Sequence, residues 1–296
     1  MGNPKEAEAA AYAAPADSVP PPPYQETANN TNTLPPPGPA PAYGAGESSP
    51  AGGSVSGVKP KIPAALNAYM GFSKTFYLGE RKEDPLFAVR MHSGFTKNPD
   101  LVLYDGPSDK SPILATATHE SIWKPSSVLT VSAHEGVAYD SGKQTVKMAA
   151  HSSFRHWTYR FTADVGVGKE TRREEFEWRS SHGSEVKELD GNRWGWKLVR
   201  LSSQPLGGGG GRATRALGST SDGLEVVAAW AHNASFSRSK TLKFQLMGSA
   251  LTGMLGERGA VLALVSALRI WWIEINSASA ASSSAAASAS VAAAAS

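Results

Sequence analysis

Gly259-Ala-Val-Leu-Ala-Leu-Val-Ser-Ala-Leu-Arg-Ile-Trp-Trp-Ile-Glu-Ile275 is the stretch whose reading decides the fold. Between Ala260 and Leu268 it carries no charge and a single hydroxyl, Ser266. Read as a helix over about Glu257 to Ile273, it is apolar on every side. Such a helix belongs in a large core or in a membrane. A membrane span needs about 20 consecutive apolar residues. Glu257 and Arg258 bound this stretch on one side and Arg269 interrupts it on the other. No transmembrane segment is therefore expected, and the helix should be enclosed by protein. At roughly 1.5 Å per residue it is about 25 Å long, close to the height of a small barrel.

The chain before it supplies a wall. From Phe72 onward the apolar residues follow a period of two. Leu86 to Met91, Leu101 to Tyr104, Ile113 to Thr118, Val128 to Val131 and Gln144 to Met148 are short strand-like runs. Asp105-Gly106-Pro107 marks a turn after the second of them. Within His151 to Phe161, Trp157, Tyr159 and Phe161 share one face. In Arg172 to Arg179, Phe176 and Trp178 point one way, while Arg173, Glu175, Glu177 and Arg179 form a solvated face. Trp194, Trp196 and Leu198 make a further stripe, as do Leu224, Val226, Ala228 and Trp230, and then Leu242, Phe244 and Leu246. Such alternation belongs to antiparallel sheet with one face on the core. It predicts a mainly β fold of about eleven or twelve strands and one apolar helix. A closed barrel of that size leaves a lumen that a central helix can fill. A β-sandwich with the helix across an open end fits the periodicity equally well.

Both termini differ from this middle. Fourteen of the 20 prolines lie in residues 1–63, and residues 277–296 contain only Ser, Ala and one Val. Residues 1–62 lack the apolar content that would offset ordering entropy. The expected organisation is a disordered Pro/Ala/Gly-rich arm over 1–62, a barrel over 63–276 and a disordered Ser/Ala tail over 277–296. Inside the arm, Pro21-Pro22-Pro23-Tyr24 has the PPxY form of a WW-domain ligand, with Pro21, Pro22 and Tyr24 as contact residues. A bland Pro run is the alternative. Residues 1–60 hold two Lys against five Asp or Glu. The remainder then holds 27 basic and 21 acidic residues, net +6. That mild excess suits an anionic surface but is far below the basic density of a nucleic-acid binder.

The chain contains no cysteine, which excludes disulfides, thiolate zinc sites and cysteine nucleophiles. No signal peptide is apparent, and Glu6 breaks the myristoylation pattern that Gly2 begins. The expected location is intracellular and cytoplasmic, in peripheral contact with membranes. Asn233-Ala234-Ser235 then carries no meaning as a sequon.

A search for chemistry finds little. His119-Glu120 and His134-Glu135 each begin a zinc-protease pattern without the second histidine, so no metal and no cofactor are expected. Gly207 to Gly211 precede Arg212-Ala213-Thr214 rather than the Gly-Lys-Ser/Thr of a phosphate loop. Gly166-Val-Gly168 reads as a turn. Arg269 is expected to reach the barrel mouth and pair with Glu274. Trp194, Trp196 and Trp230 read as core more readily than as a ligand pocket. Lys187, Arg193, Lys197 and Arg200 are the candidate rim for anionic head groups, with a solvated face as the alternative.

Three features resemble the tubby C-terminal-like fold shared by LURP-one-related proteins and phospholipid scramblases. They are the hairpin Leu101 to Ala115, the segment Phe176 to Val186 running on to Arg193-Trp-Gly-Trp-Lys-Leu198, and the apolar helix. The second is similar to the central part of uncharacterised fungal members. The resemblance covers roughly residues 70–275 and implies a twelve-stranded barrel around a central helix. It also implies phosphoinositide binding of the tubby kind, though no basic position of that family is matched here. Scramblases anchor through acylated cysteines and bind calcium, and this chain has no cysteine and no clear acidic calcium loop. The expected function is a non-enzymatic binding or scaffold domain at anionic phospholipid surfaces. The alternatives are an adaptor for WW-domain proteins and, third, an enzyme with a pocket at the barrel mouth.

Overall fold

The computed structural model describes residues 61–70, 75–92, 97–121, 124–132, 142–153, 156–166, 171–189, 194–202, 220–232 and 240–294. Pro21, Pro22, Tyr24, Arg193 and the Gly207–Gly211 run lie outside the described residues.

Twelve strands follow one another: β1 (Ala65–Met70), β2 (Thr75–Gly79), β3 (Phe87–Met91), β4 (Leu101–Tyr104), β5 (Ile113–Ser121) and β6 (Lys124–Val131), then β7 (Gln144–Ser153), β8 (His156–Val165), β9 (Arg172–Ser181), β10 (Gly195–Arg200), β11 (Glu225–His232) and β12 (Lys240–Leu246). A short helix α1 (Ser184–Lys187) stands between β9 and β10, and a 3₁₀ turn (Gly248–Thr252) precedes the long helix α2 (Gly256–Ala294). Every strand pairs antiparallel with its sequence neighbours, and β1 pairs with β12, which closes the barrel. Closure rules out the sandwich and leaves no unpaired edge among the described strands.

Why the wall closes around α2 is visible in one cluster. The inward residues of the strands, among them Leu66, Phe76, Leu103, Leu129, Met148, Phe161, Trp178, Leu198, Trp230 and Phe244, pack with Val261 to Val265, Ala267, Leu268, Ile270 and Trp271 in a single core. Every residue from Val261 to Trp271 is buried. The stretch Gly256–Ser277, 22 residues, is longer than the sequence reading allowed and satisfies the length and composition of a membrane span. Its buried part, Val261 to Trp271, is covered by the strands.

The entry of α2 demands glycine. Gly256 has φ +66°, and a Cβ there would lie 2.3 Å from the carbonyl oxygen of Gly166 after β8. An L side chain would be both strained and in collision. From this point α2 runs through the barrel, and odd-numbered strands run with it while even-numbered strands run back. The end near Gly166 is called the lower rim here, and the end where α2 leaves is the upper rim. The helix, expected to stop near Ile273, continues to Ala294. Ala has the highest helix propensity, and a helix already nucleated inside a barrel needs only propagation.

Local departures from the alternation have local causes. Trp157 shares the parity of Tyr159 and Phe161, yet it is exposed, because both faces of the β7–β8 hairpin end are exposed. His151 to Ser153 belong to β7 rather than to the strand carrying Trp157. Opposite Leu198 and Val199 the β10–β11 register shifts. The stripe through Ala228 and Trp230 therefore continues into the core at Val227 and not at Val226. Glu177, expected on the solvated face, is buried between the guanidiniums of Arg160 and Arg179.

Leu264 is wholly buried at the middle of the enclosed helix. Leu264→Ala is expected to cost about 2–5 kcal/mol by leaving a cavity, read by urea denaturation. Leu264→Asp should abolish cooperative folding, because it buries an unpaired charge. A cooperatively folded Asp variant would contradict the enclosure of α2.

Candidate functional site

Two side chains of the enclosed helix are polar, and the wall answers both. Ser266 Oγ accepts a hydrogen bond from Trp178 Nε1 at 2.8 Å and donates one to the Ala263 carbonyl at 3.0 Å. Arg269 Nη2 lies 2.9 Å from Asp100 Oδ2, and Arg269 Nε donates to Ser127 Oγ at 2.9 Å. Asp100 also accepts the backbone N–H of His119 at 2.8 Å, and His119 Nδ1 lies 2.9 Å from the same carboxylate oxygen. Burial pushes the Arg269 guanidinium below its ordinary value, against the opposing pull of Asp100 and Tyr159. A guanidinium nevertheless stays charged in proteins. Asp100, His119 and Ser127 all stand toward the upper rim.

Arg269 therefore pairs with Asp100 and not, as expected from the sequence, with Glu274. Residues five apart do not share a helix face as residues three or four apart do. Glu274 faces another part of the rim. Its Oε1 accepts from Trp196 Nε1 at 2.8 Å, and its Oε2 lies 3.1 Å from His232 Nε2. Around this carboxylate the rings form a layer. Trp194 and Trp230 each lie within 5.3 Å of the His232 ring, Trp196 stacks on Trp230 at 6.4 Å, and Tyr159 is tilted against Trp196 at 5.5 Å. Trp196 and Trp230 are core, while Trp194 is exposed at the rim. Burial, reinforced by Glu274 and opposed by Arg269, pushes the Tyr159 phenol up to about 12.

Of the cations named as a head-group rim, Lys197 and Arg200 do not stand together. Lys197 and Arg200 stand three apart on β10, which places them on opposite faces. Lys197 Nζ is 3.1 Å from Glu185 on the outer side. Arg200 belongs to the inner, lower end, where Nη2 donates to Glu174 Oε1 at 2.6 Å and Nη1 to Glu225 Oε2 at 3.2 Å. Arg172 completes that cluster through Glu174. Burial alone would raise the Glu174 carboxyl, but Arg200 and Arg172 hold it below the ordinary carboxylate range. Lys187 is exposed on α1. Among the described residues no group of three or more His, Asp or Glu side chains is placed to hold a metal ion.

What the sequence did not disclose is the histidine distribution. His92, His119, His151, His156, His182 and His232 all lie at or near the strand ends of the upper rim. The seventh, His134, lies outside the described residues. Scattered through the chain, these positions have no common signal until the up-and-down topology is known. Comparison with family models, with curated proteins and with solved structures gives no match.

Two measurements test this arrangement. Asp100→Ala should destabilise the protein by about 3–5 kcal/mol, since it strands a buried guanidinium. A calorimetric or urea-derived loss below about 1 kcal/mol would contradict the pairing. Tyr159 gives a pH test. Its folded value is raised, so its contribution is fully present below about pH 10, where the unfolded phenol keeps its proton. The contribution is lost as the pH rises through 12. The stability difference between the native chain and Tyr159→Phe should therefore shift by about 2–3 kcal/mol across that window.

Proposed function

We propose that this chain is a tubby C-terminal-like, LURP-one-related protein whose barrel is a non-enzymatic binding domain for anionic phospholipid surfaces, phosphoinositides among them. The observation that carries this reading is the filled lumen. Val261 to Trp271 occupy the barrel interior, and the polar groups on that helix are satisfied by the wall. Recognition then falls to the outer surface and the rims. The twelve-stranded closed barrel around a central helix is the fold the resemblance implied. Residues 61–296 carry 27 basic against 21 acidic side chains, the sign an anionic surface attracts. A peripheral, cytoplasmic protein follows from this reading.

A second reading rests on Pro21, Pro22 and Tyr24, the PPxY segment of the arm. It makes the chain an adaptor that presents this segment to WW-domain proteins.

Flotation of the full chain with vesicles separates the two. Phosphatidylcholine vesicles should leave the chain in solution. Vesicles doped with phosphatidylserine or a phosphoinositide should float it at low salt and release it as salt is raised, because exposed charges are screened. Failure to float on any anionic vesicle at low salt would overturn the phospholipid reading and move the weight to the PPxY arm.

A further inference from the structure

Among the described residues, no lysine or arginine answers the carboxylate of Glu274 at the upper mouth of the barrel. Glu274 follows directly on the buried stretch of α2 that ends at Trp271. Its side chain is 22% exposed. One oxygen accepts from Trp196 Nε1, and the other lies against His232 Nε2. A carboxylate offers about four acceptor positions, so both oxygens keep room. The guanidinium one turn earlier, Arg269, is claimed by Asp100, and that pair adds no net charge. The helix therefore leaves the barrel with an uncompensated negative charge.

Aromatic rings stand around that charge. Trp194, 38% exposed, lies 5.2 Å from the His232 ring, and Trp196 lies 5.5 Å from Tyr159 across β9. At this level β9 presents Ser180, which is paired with Trp196 and has the inward parity of Phe176 and Trp178. Ser180 is nevertheless exposed. An inward-pointing residue that solvent reaches marks a recess over the Tyr159–Trp196 floor. Tyr159 is only 3% exposed. Its hydroxyl has no hydrogen-bond partner among the described residues, yet the oxygen is not sealed from solvent. Polar groups this deep in a wall are ordinarily paired, so an open phenol here leaves a partner to be supplied from outside.

We propose that this recess binds a small organic ammonium ion: Glu274 supplies the counter-charge, Trp194 and Trp196 supply ring faces, and the Tyr159 oxygen meets a hydroxyl or N–H of the same molecule. The proposal stands apart from the phospholipid reading, which concerns a surface of the opposite charge.

The chemistry of the lining selects this class of ligand. Ring faces carry the negative part of the aromatic quadrupole. A cation over an indole gains most when it is drawn out of water, as it is in a recess. Calcium needs six to eight oxygen ligands, and among the described residues no group of three His, Asp or Glu stands together. A small anion would be repelled by Glu274. A neutral apolar molecule would cover the carboxylate without compensating it.

The test is calorimetric titration of the full chain with choline chloride, against sodium chloride at equal ionic strength, with tryptophan fluorescence followed in parallel. Choline should bind saturably with a dissociation constant of roughly 1 mM or below, and sodium should not. The uncharged isostere of choline, with carbon in place of nitrogen, should bind at least about tenfold more weakly. Glu274→Gln keeps an acceptor for Trp196 Nε1 and should weaken choline by about tenfold or more. Trp194→Ala removes a ring that the core does not use, and should weaken choline by about twofold to fivefold. Circular dichroism and urea unfolding check that each variant is folded. Flotation on phosphatidylcholine vesicles that free choline competes off would place the ion on a lipid head group. Choline binding without such flotation would make the ligand a free solute, and both outcomes keep the recess. Absence of saturable choline binding, equal affinity for the uncharged isostere, or unchanged affinity in the folded variants would each overturn it.

Discussion

A guanidinium held inside an apolar barrel is the constraint around which this structure is arranged. Arg269 lies on the one helix that the wall surrounds, within its buried stretch. Leaving its charge unpaired there would cost several kcal/mol. Asp100 removes that cost, and it can do so in one axial position and one rotation of α2. Dispersion and area burial among Leu, Val and Ala are nearly indifferent to small slides of a helix in its sleeve. The ion pair at 2.9 Å, with Ser127 bonded to Arg269 and His119 to Asp100, is directional. The apolar contacts hold the helix in the barrel, and the polar ones set its register.

The same logic orders the upper rim. Once Arg269 is fixed on Asp100, Glu274 is carried to another part of the mouth, against Trp196 and His232. That carboxylate ties the end of the enclosed helix to β10 and β11. At the lower rim Glu174 and Glu225 clamp Arg200, and Glu225 also receives the backbone N–H of Ser249 at 2.6 Å. The 3₁₀ turn that leads into α2 is thereby tied to the wall. Both ends of the helix are pinned by carboxylates, one from the helix and one from the strands.

Much of the wall was legible because period-two alternation reports a face, and eleven or twelve faces with one all-apolar helix have few joint solutions. Phe176 and Trp178, Leu242 and Phe244, and Leu101 to Tyr104 behave as their spacing predicts. The misreadings are of one kind. Glu177 is buried by Arg160 and Arg179, of which the first comes from another strand, and Arg269 is partnered by Asp100, far away in the chain. Parity along one strand cannot show which residue stands across from it. Trp157 escaped for a different reason: parity states which way a residue points, not how far its hairpin extends beyond the core. The six histidines of the upper rim became a group only when twelve strands alternated in direction.

Amide hydrogen exchange along α2 tests the central claim most directly. If Val261 to Trp271 is sealed inside a closed wall and registered by Arg269, those amides should exchange only through global unfolding, with protection equal to the whole stability of the domain. Exchange of that segment by local opening, at rates typical of a surface helix, would contradict the enclosure and the register together.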